Sequence, residues 1–433
     1  MNAVEPSQES RPRVERRNVA RKLGRPLKIA LLGYRSDPFV GGQGVYLKFL
    51  SRALARLGHQ VDVYSGPPYP KLDDNISLHK VPSLDLYAVE SPARAIGRVN
   101  FLRWADVVEW LSKLSGGFAE PYSFGRRITR VLTDSDYDII HDNQSLCYGL
   151  LNLQKAGHKV VSTIHHPIHR DRETALQEAP DWFHRLLIRR WYRFLCMQEK
   201  VASSLNFITT VSEASQQDIG RYFNRTRNVR LIPNGIDTDA FRPMASNKQP
   251  FSLVTTASSD QPIKGLVYLL EAVAATVKQY PQTHLRIIGT LKKNGVAEKR
   301  IEELQLQKHI SFRSGLTTEQ MALEYNRASI AVCPSLYEGF GLPVGEAMAC
   351  GLPVITTDGG ALPEVVGDAG IVVEAGDSRA LAAAIQLLFD NRELAETLAD
   401  NARKRIEETF CWNRVAEDMT RYYQDIITGT LSP

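Results

Sequence analysis

Short apolar runs alternate along this chain with longer stretches whose apolar positions recur every three or four residues. The first run, Lys28 to Gly33 (KIALLG), has the length and character of a parallel strand buried on both faces. A loop ending in Gly41-Gly42 follows, and then Val45, Phe49, Leu50, Leu54 and Leu57 mark one face of a helix that Gly58 is suited to end. Val61 to Tyr64 (VDVY) reads as the next strand. Strand, helix and strand in so short a span form a βαβ unit, and such units build parallel sheets covered by helices.

The pattern returns at Tyr137 to His141, Lys159 to Ile164 and Phe207 to Val211. Pro, Asn and Gly interrupt it at Leu231 to Phe241 (LIPNGIDTDAF), as a linker does. A second series then runs through Phe251 to Thr256, Leu285 to Gly289, Ile310 to Phe312, Ile330 to Cys333 and Pro353 to Thr356, with helical stretches between. Two consecutive open α/β sheets are predicted, and the cleft shared by the carboxyl ends of their strands is the expected ligand site.

Length and charge sharpen this picture. The 433 residues suit one or two large domains and exclude a small stapled module. The net charge of +5 is uneven: residues 1–26 hold seven bases against three acids without periodicity, which predicts a basic, disordered tail. The body is close to neutral, which excludes a nucleic-acid binder on charge grounds. Five scattered cysteines without a C-x-x-C pair predict reduced thiols. No run has the length of a membrane span or the core of a signal peptide, so a cytoplasmic location is expected.

Candidate chemistry concentrates in Ser335 to Gly351 (SLYEGFGLPVGEAMACG). This segment follows a strand, passes a Gly-rich loop and enters a helix with Pro343 near its first position and Gly351 at its end. Amides around Gly341 and Leu342, with the helix dipole, make an anion site suited to a diphosphate. Glu338 before the helix and Glu346 inside it flank that site. Carboxylates there repel phosphate but accept hydrogen bonds from hydroxyls, and a nucleotide sugar offers hydroxyls on both sides of its diphosphate. Taken singly, either glutamate reads more readily as a solvated residue at a helix start; the combination of strand, Gly-rich loop, Pro at the helix start and spaced acids favours the ligand-binding reading.

EGFGLPVGEAMACGLPVI resembles the E-x7-E signature of the retaining glycosyltransferases of family 4, which have the GT-B fold: two facing Rossmann-like α/β domains with the active site in the interdomain cleft. The resemblance extends to GGQGVYLKFLSRALARLGHQVDVYSG at the front, PNGIDTDAF in the middle and FCWNRVAEDMTRYY near the end. After the basic tail (1–26), it implies an N-terminal acceptor-binding domain (27–232), a C-terminal nucleotide-sugar domain (233–411) and a last helix (412–433) packed back on the first domain. It also implies roles. Glu338, with the amides of Phe340 and Gly341 beside it, holds the donor sugar; Leu342 and Val344 offer amides to the diphosphate; Glu346 holds the ribose. Gly42 brings an amide across the cleft, Lys264 binds phosphate, His165 lies against the donor sugar, and Gly315 belongs to the donor-binding set. Glu338, His165 and Lys264 form the catalytic group.

One departure stands out. Ser259 occupies a position where the family usually has an arginine, a loss of charge worth a few kcal/mol, or about two to three orders of magnitude in rate. In Thr163 to Arg172 (TIHHPIHRDR), His166, Arg170 and Arg172 are the candidates for binding acceptor or phosphate. Arg170 and Arg172 either supply the missing charge or are paired with Asp171, Glu173 or the following helix. A metal site at His165, His166 and His169 lacks a carboxylate or thiol at ligand spacing, and neither metal nor cofactor is expected. Asp237-Thr238-Asp239 reads as linker.

The implied reaction moves a sugar from a nucleoside-diphosphate sugar, UDP or GDP in type, to an acceptor hydroxyl with retained configuration. The acceptor is lipid-linked, a polysaccharide or a small molecule. Alternatives are an epimerase or phosphorylase of the same architecture, or a donor-binding protein with weakened catalysis, motivated by Ser259. Asp181 to Lys200 (DWFHRLLIRRWYRFLCMQEK) mixes aromatics with arginines. It reads either as a helix lying on an anionic membrane or as a core helix with a solvated basic face. Residues 101–118 add a second aromatic amphipathic stretch, covering either the acceptor pocket or a sheet edge.

Overall fold

The computed structural model describes residues 25–37, 42–86, 103–177, 179–245, 248–257 and 261–431. The expected tail up to residue 24, Gly41, Ser259 and residues 87–102 lie outside the described residues. Arg25, assigned to the tail by its charge, instead forms a two-pronged pair with Asp138 at 2.6 and 2.9 Å.

The first sheet is built from β1 (Lys28–Gly33), β2 (Gln60–Ser65), β3 (Ser77–Lys80), β4 (Ile139–Asn143), β5 (Val160–Ile164), β6 (Phe207–Thr210) and β7 (Val229–Leu231). Its strands are parallel in the order β3-β2-β1-β4-β5-β6-β7. The second contains β8 (Ser252–Thr256), β9 (His284–Ile288), β10 (Ile310–Arg313), β11 (Ile330–Cys333), β12 (Val354–Thr357) and β13 (Ile371–Val373), parallel in the order β10-β9-β8-β11-β12-β13. In each sheet the strand order reverses once, at β1/β4 and at β8/β11. In open α/β sheets these switch points, at the carboxyl ends of the strands, are where ligands bind.

The apolar runs are strands because both of their faces are covered. Ile29 and Leu31 enter one core while Ala30 and Leu32 enter the core on the opposite face, and Leu253 and Val254 divide in the same way. Edge strands β3, β7 and β13 have few fully buried residues and escaped the sequence reading for that reason. β7 also takes Leu231, so the interruption begins at Ile232.

The chain crosses between the sheets twice, at one place. The amide of Ile236 donates to the Phe410 carbonyl at 2.7 Å, and Ile236 and Cys411 pair as a parallel bridge. Helix Trp412–Ile427 then lies in the core of the first sheet with Val415, Met419, Tyr423 and Ile426, against helix Gln43–Arg56. Trp412 stacks on Phe49 at 5.9 Å and sits over Gly235, where a Cβ would come within 2.3 Å of its ring. Among the described residues no helix is long and apolar enough to cross a membrane.

Candidate active site

Helix Leu342–Ala349 starts where Gly341 turns the chain into the left-handed region (φ +98°), with Leu362 packed so close that a Cβ would meet it at 2.7 Å. The Val344 and Gly345 amides donate to the Gly341 carbonyl at 3.0 and 3.2 Å, closing the first turn. Leu342, the first helical residue, has no partner for its amide within the helix, as at any helix start. The Val344 N–H is thus engaged inside the turn. The helix ends at Cys350 with Gly351 left-handed behind it, as its sequence indicates.

Glu338 is fixed by its backbone before its side chain acts. Its amide donates to the Gly359 carbonyl at 3.2 Å and its carbonyl accepts from Ala361 at 2.9 Å, which ties the loop after β11 to the loop after β12. Lys264 ends the short turn Pro262–Lys264 after β8, and Leu336 donates to Ile263 at 2.8 Å, holding that turn against the Glu338 loop. The result is an ion pair of 2.7 Å between Lys264 Nζ and Glu338 Oε1, with Ser335 Oγ donating to the same oxygen at 2.9 Å. Both side chains keep some contact with solvent, 28% for Lys264 and 14% for Glu338, and the charge of Glu338 adds to burial in pushing the Cys333 thiol up to about 11.

Glu346 lies one turn into the helix. Tyr325 donates to its Oε2 at 3.3 Å, and the Tyr325 hydroxyl also meets Thr256 Oγ1 at 3.0 Å. Burial raises its carboxyl to about 8, and Asp237 adds to the effect.

The first domain supplies the opposite wall. His165 follows β5, and its Nε2 lies 2.7 Å from Asn143 Oδ1 at the end of β4. Asn143 Nδ2 donates to the Gln43 carbonyl at 3.1 Å, which turns Oδ1 towards the histidine, makes Nε2 the protonated nitrogen and leaves Nδ1 as an acceptor. Burial, with some help from His166, lowers the imidazole to about 3, so it is neutral. Tyr46 packs edge-on against it at 4.7 Å. The two walls touch at Gly339, where a Cβ would lie 3.1 Å from the His165 carbonyl and from His166 Cβ. They come close again where Gly42, left-handed at φ +73°, approaches Leu342.

Family models match both halves of the chain: Glycosyltransferase Family 4 over residues 40–240 and Glycosyl transferases group 1 over 238–405. An MMP alpha-(1->4)-mannosyltransferase from Mycolicibacterium hassiacum is 42% identical over 408 residues, covering 93% of this chain and 98% of that one. The chain is a family 4 glycosyltransferase. A D-inositol 3-phosphate glycosyltransferase from Corynebacterium glutamicum is 25% identical over 93% of the chain and 98% of its own length. Among solved structures, sucrose-phosphate synthase from Thermosynechococcus elongatus superimposes with a TM-score of 0.69 at 24% identity, covering 93% and 100% of the two chains. An Anabaena protein in complex with UDP and glucose gives 0.65 at 18%, over 92% and 99%. These likenesses agree with the two parallel sheets in giving this glycosyltransferase the GT-B fold.

Other expected residues in the glycosyltransferase are placed differently. Arg170 does not offer its charge to the cleft: its guanidinium grips Asp218 at 2.7 and 2.8 Å and lies over the Tyr337 ring. The partner is neither Asp171 nor Glu173. His165, His166 and His169 turn to separate partners, Asn143, Asp171 (3.6 Å) and Glu199 (2.8 Å). Among the described residues no group of three His, Cys, Asp or Glu side chains is arranged to hold a metal ion. Arg172 shares helix His169–Gln177 and lies close enough to His169 to influence its charge. Gly315, left-handed after β10, has open space around it.

The segment 181–200 is not one helix but two, Trp182–Trp191 and Leu195–Ser204, joined by a tight turn at Tyr192–Phe194. The first has no buried residue, and Trp182 is 76% exposed, which corrects the core-helix alternative for that half, whereas the second buries Leu195, Met197, Val201 and Ala202. Ser335, Asn143, Tyr46 and Asp218 were missed. Ser335 was detectable as the residue three before Glu338; the others reach the site only through tertiary contact.

Proposed function

We propose that this glycosyltransferase moves a sugar from a nucleoside-diphosphate sugar to a saccharide hydroxyl with retention of anomeric configuration. From the 42%-identical relative we take the sugar to be mannose and the new bond α-(1→4). The observation that carries the reading is the Lys264–Glu338 pair at the start of helix Leu342–Ala349, with neutral His165 on the facing wall. In this reading Glu338 and His165 Nδ1 accept hydrogen bonds from hydroxyls of the donor sugar. Lys264, the Leu342 amide and the helix dipole oppose the negative charge that grows on the departing diphosphate. The bond from the anomeric carbon to the phosphate oxygen breaks, the acceptor oxygen bonds to that carbon on the same face, and the acceptor proton passes to the departing phosphate oxygen. No protein carboxylate acts as nucleophile.

The test is incubation with UDP and GDP sugars and a mannose oligosaccharide, followed by proton NMR of the product. An α-anomer is expected. A β-anomer would exclude retention, and free nucleotide without glycosylated acceptor would favour the hydrolysing or epimerising alternative.

Glu346 gives a pH prediction. Its carboxyl titrates near 8 in the free chain and is therefore protonated at neutral pH. Ribose hydroxyls donate best to the ionised form, so donor binding expels the proton and affinity rises with pH until about 8, by tenfold per unit at most. Calorimetry of UDP or GDP binding at pH 6 to 9 should show this rise, and Glu346→Gln should flatten it. A flat wild-type profile would remove the ribose assignment.

A further inference from the structure

The loop that carries Glu338 is gripped from the opposite domain by one helix. Helix Glu213–Phe223 of the first domain is capped by Ser212, whose hydroxyl accepts from the Ser215 amide and donates across the cleft to the Gly339 carbonyl at 2.7 Å. At the same end, Glu364 of the second domain accepts from the Glu213 and Ala214 amides at 2.7 and 2.8 Å, where the helix dipole favours a carboxylate. Further along, Asp218 is 3% exposed, so its charge needs close partners. It has two: the Arg170 fork, and the hydroxyl of Tyr337, which donates to Oδ2 at 2.5 Å. Arg170 also lies 4.4 Å above the centre of the Tyr337 ring. Tyr337 is bonded in the chain to Glu338.

Neither domain completes this arrangement alone. Arg170 and Asp218 come from the first, Tyr337 from the second, and each satisfies part of what the others leave open. We infer that Arg170, Asp218 and Tyr337 form a clasp of positioning residues that fixes the Glu338 loop against His165, so that sugar transfer needs the clasp although none of the three touches the sugar. The inference rests on the proposed donor site. Gly339 marks the consequence: the residue after Glu338 is pressed to within contact of the His165 carbonyl, so a shift of the loop moves the carboxylate relative to the imidazole.

Tyr337→Phe removes one oxygen and keeps the ring under Arg170. It is expected to lower kcat for transfer by tenfold to a hundredfold while the affinity for UDP or GDP, whichever the wild type binds, changes by less than threefold. A merely structural role would lower the melting temperature without that split. Asp218→Asn should act through the same contact, so the double variant should be no slower than the slower single. A kcat for Tyr337→Phe within twofold of wild type, in a folded protein, would overturn the clasp. If the wild type transfers no sugar at all, the donor-site reading fails separately. Small-angle scattering of the ligand-free chain then decides: a larger radius of gyration in Tyr337→Phe supports the clasp, and an unchanged one overturns it.

Discussion

Lys264→Ala and Glu338→Ala are each expected to reduce kcat/KM for sugar transfer by at least about a hundredfold, the usual scale for removing one group that stabilises charge in a transition state. The two losses have different origins. Without Lys264 the diphosphate loses its one assigned cation among the described residues, and Glu338 keeps only Ser335 beside it. Without the Glu338 carboxylate the lysine remains, but the sugar loses the acceptor that orients it. Neither change should unfold the protein, because a partly exposed ion pair contributes about 1 kcal/mol or less and the backbone bonds of residue 338 to Gly359 and Ala361 survive. Steady-state kinetics with a matched thermal melt checks both statements. Turnover near that of the wild type in either variant would sink the site assignment.

Gly265→Ala should be the most damaging single methyl group. Gly265 is left-handed (φ +63°) between Lys264 and helix Leu266–Val277, and a Cβ built on it would lie 1.9 Å from the Pro334 carbonyl oxygen. The left-handed conformation alone costs a non-glycine residue about 1–2 kcal/mol. The contact adds to this, since backbone oxygen cannot rotate away as a side chain can. A total of about 3 kcal/mol or more is expected, with transfer lost as Lys264 is pushed from the loop that begins at Pro334. Gly315→Ala is the control: the same sign of φ (+67°), open space, and so only about 1–2 kcal/mol of conformational strain. Equal melting temperatures for the two variants would show that the close approach carries no weight.

What could be read from the sequence was what is local. β1 is an apolar run closed by a glycine, and Gly341, Pro343 and Gly351 punctuate their helix within one span of eleven residues. Arg170 shows the limit: it stands among acids in sequence, yet its partner is 48 residues away on another helix. Composition near an arginine gives the supply of charges and not the fold that chooses between them. The neutrality of His165 is of the same kind, because it comes from burial in the folded protein, while its tautomer is set by an asparagine on a neighbouring strand. β3 and β13 were hidden for the opposite reason, since edge strands bury too little to leave an apolar run.

The double crossing near Gly235 bears on how such a protein can be recombined. Order along the chain and membership of a domain disagree here, because helix Trp412–Ile427 follows the second sheet in sequence but completes the core that contains Leu27, Ile29 and Leu50. A chimera joined only at the linker would therefore import a foreign helix into the interior of the first domain, with a foreign ring at position 412 against Gly235 and Phe49. To exchange donor specificity as a cassette, two junctions are needed, one on each of the bridged segments at Ile236 and Cys411, so that helix Trp412–Ile427 stays with the half whose core it fills.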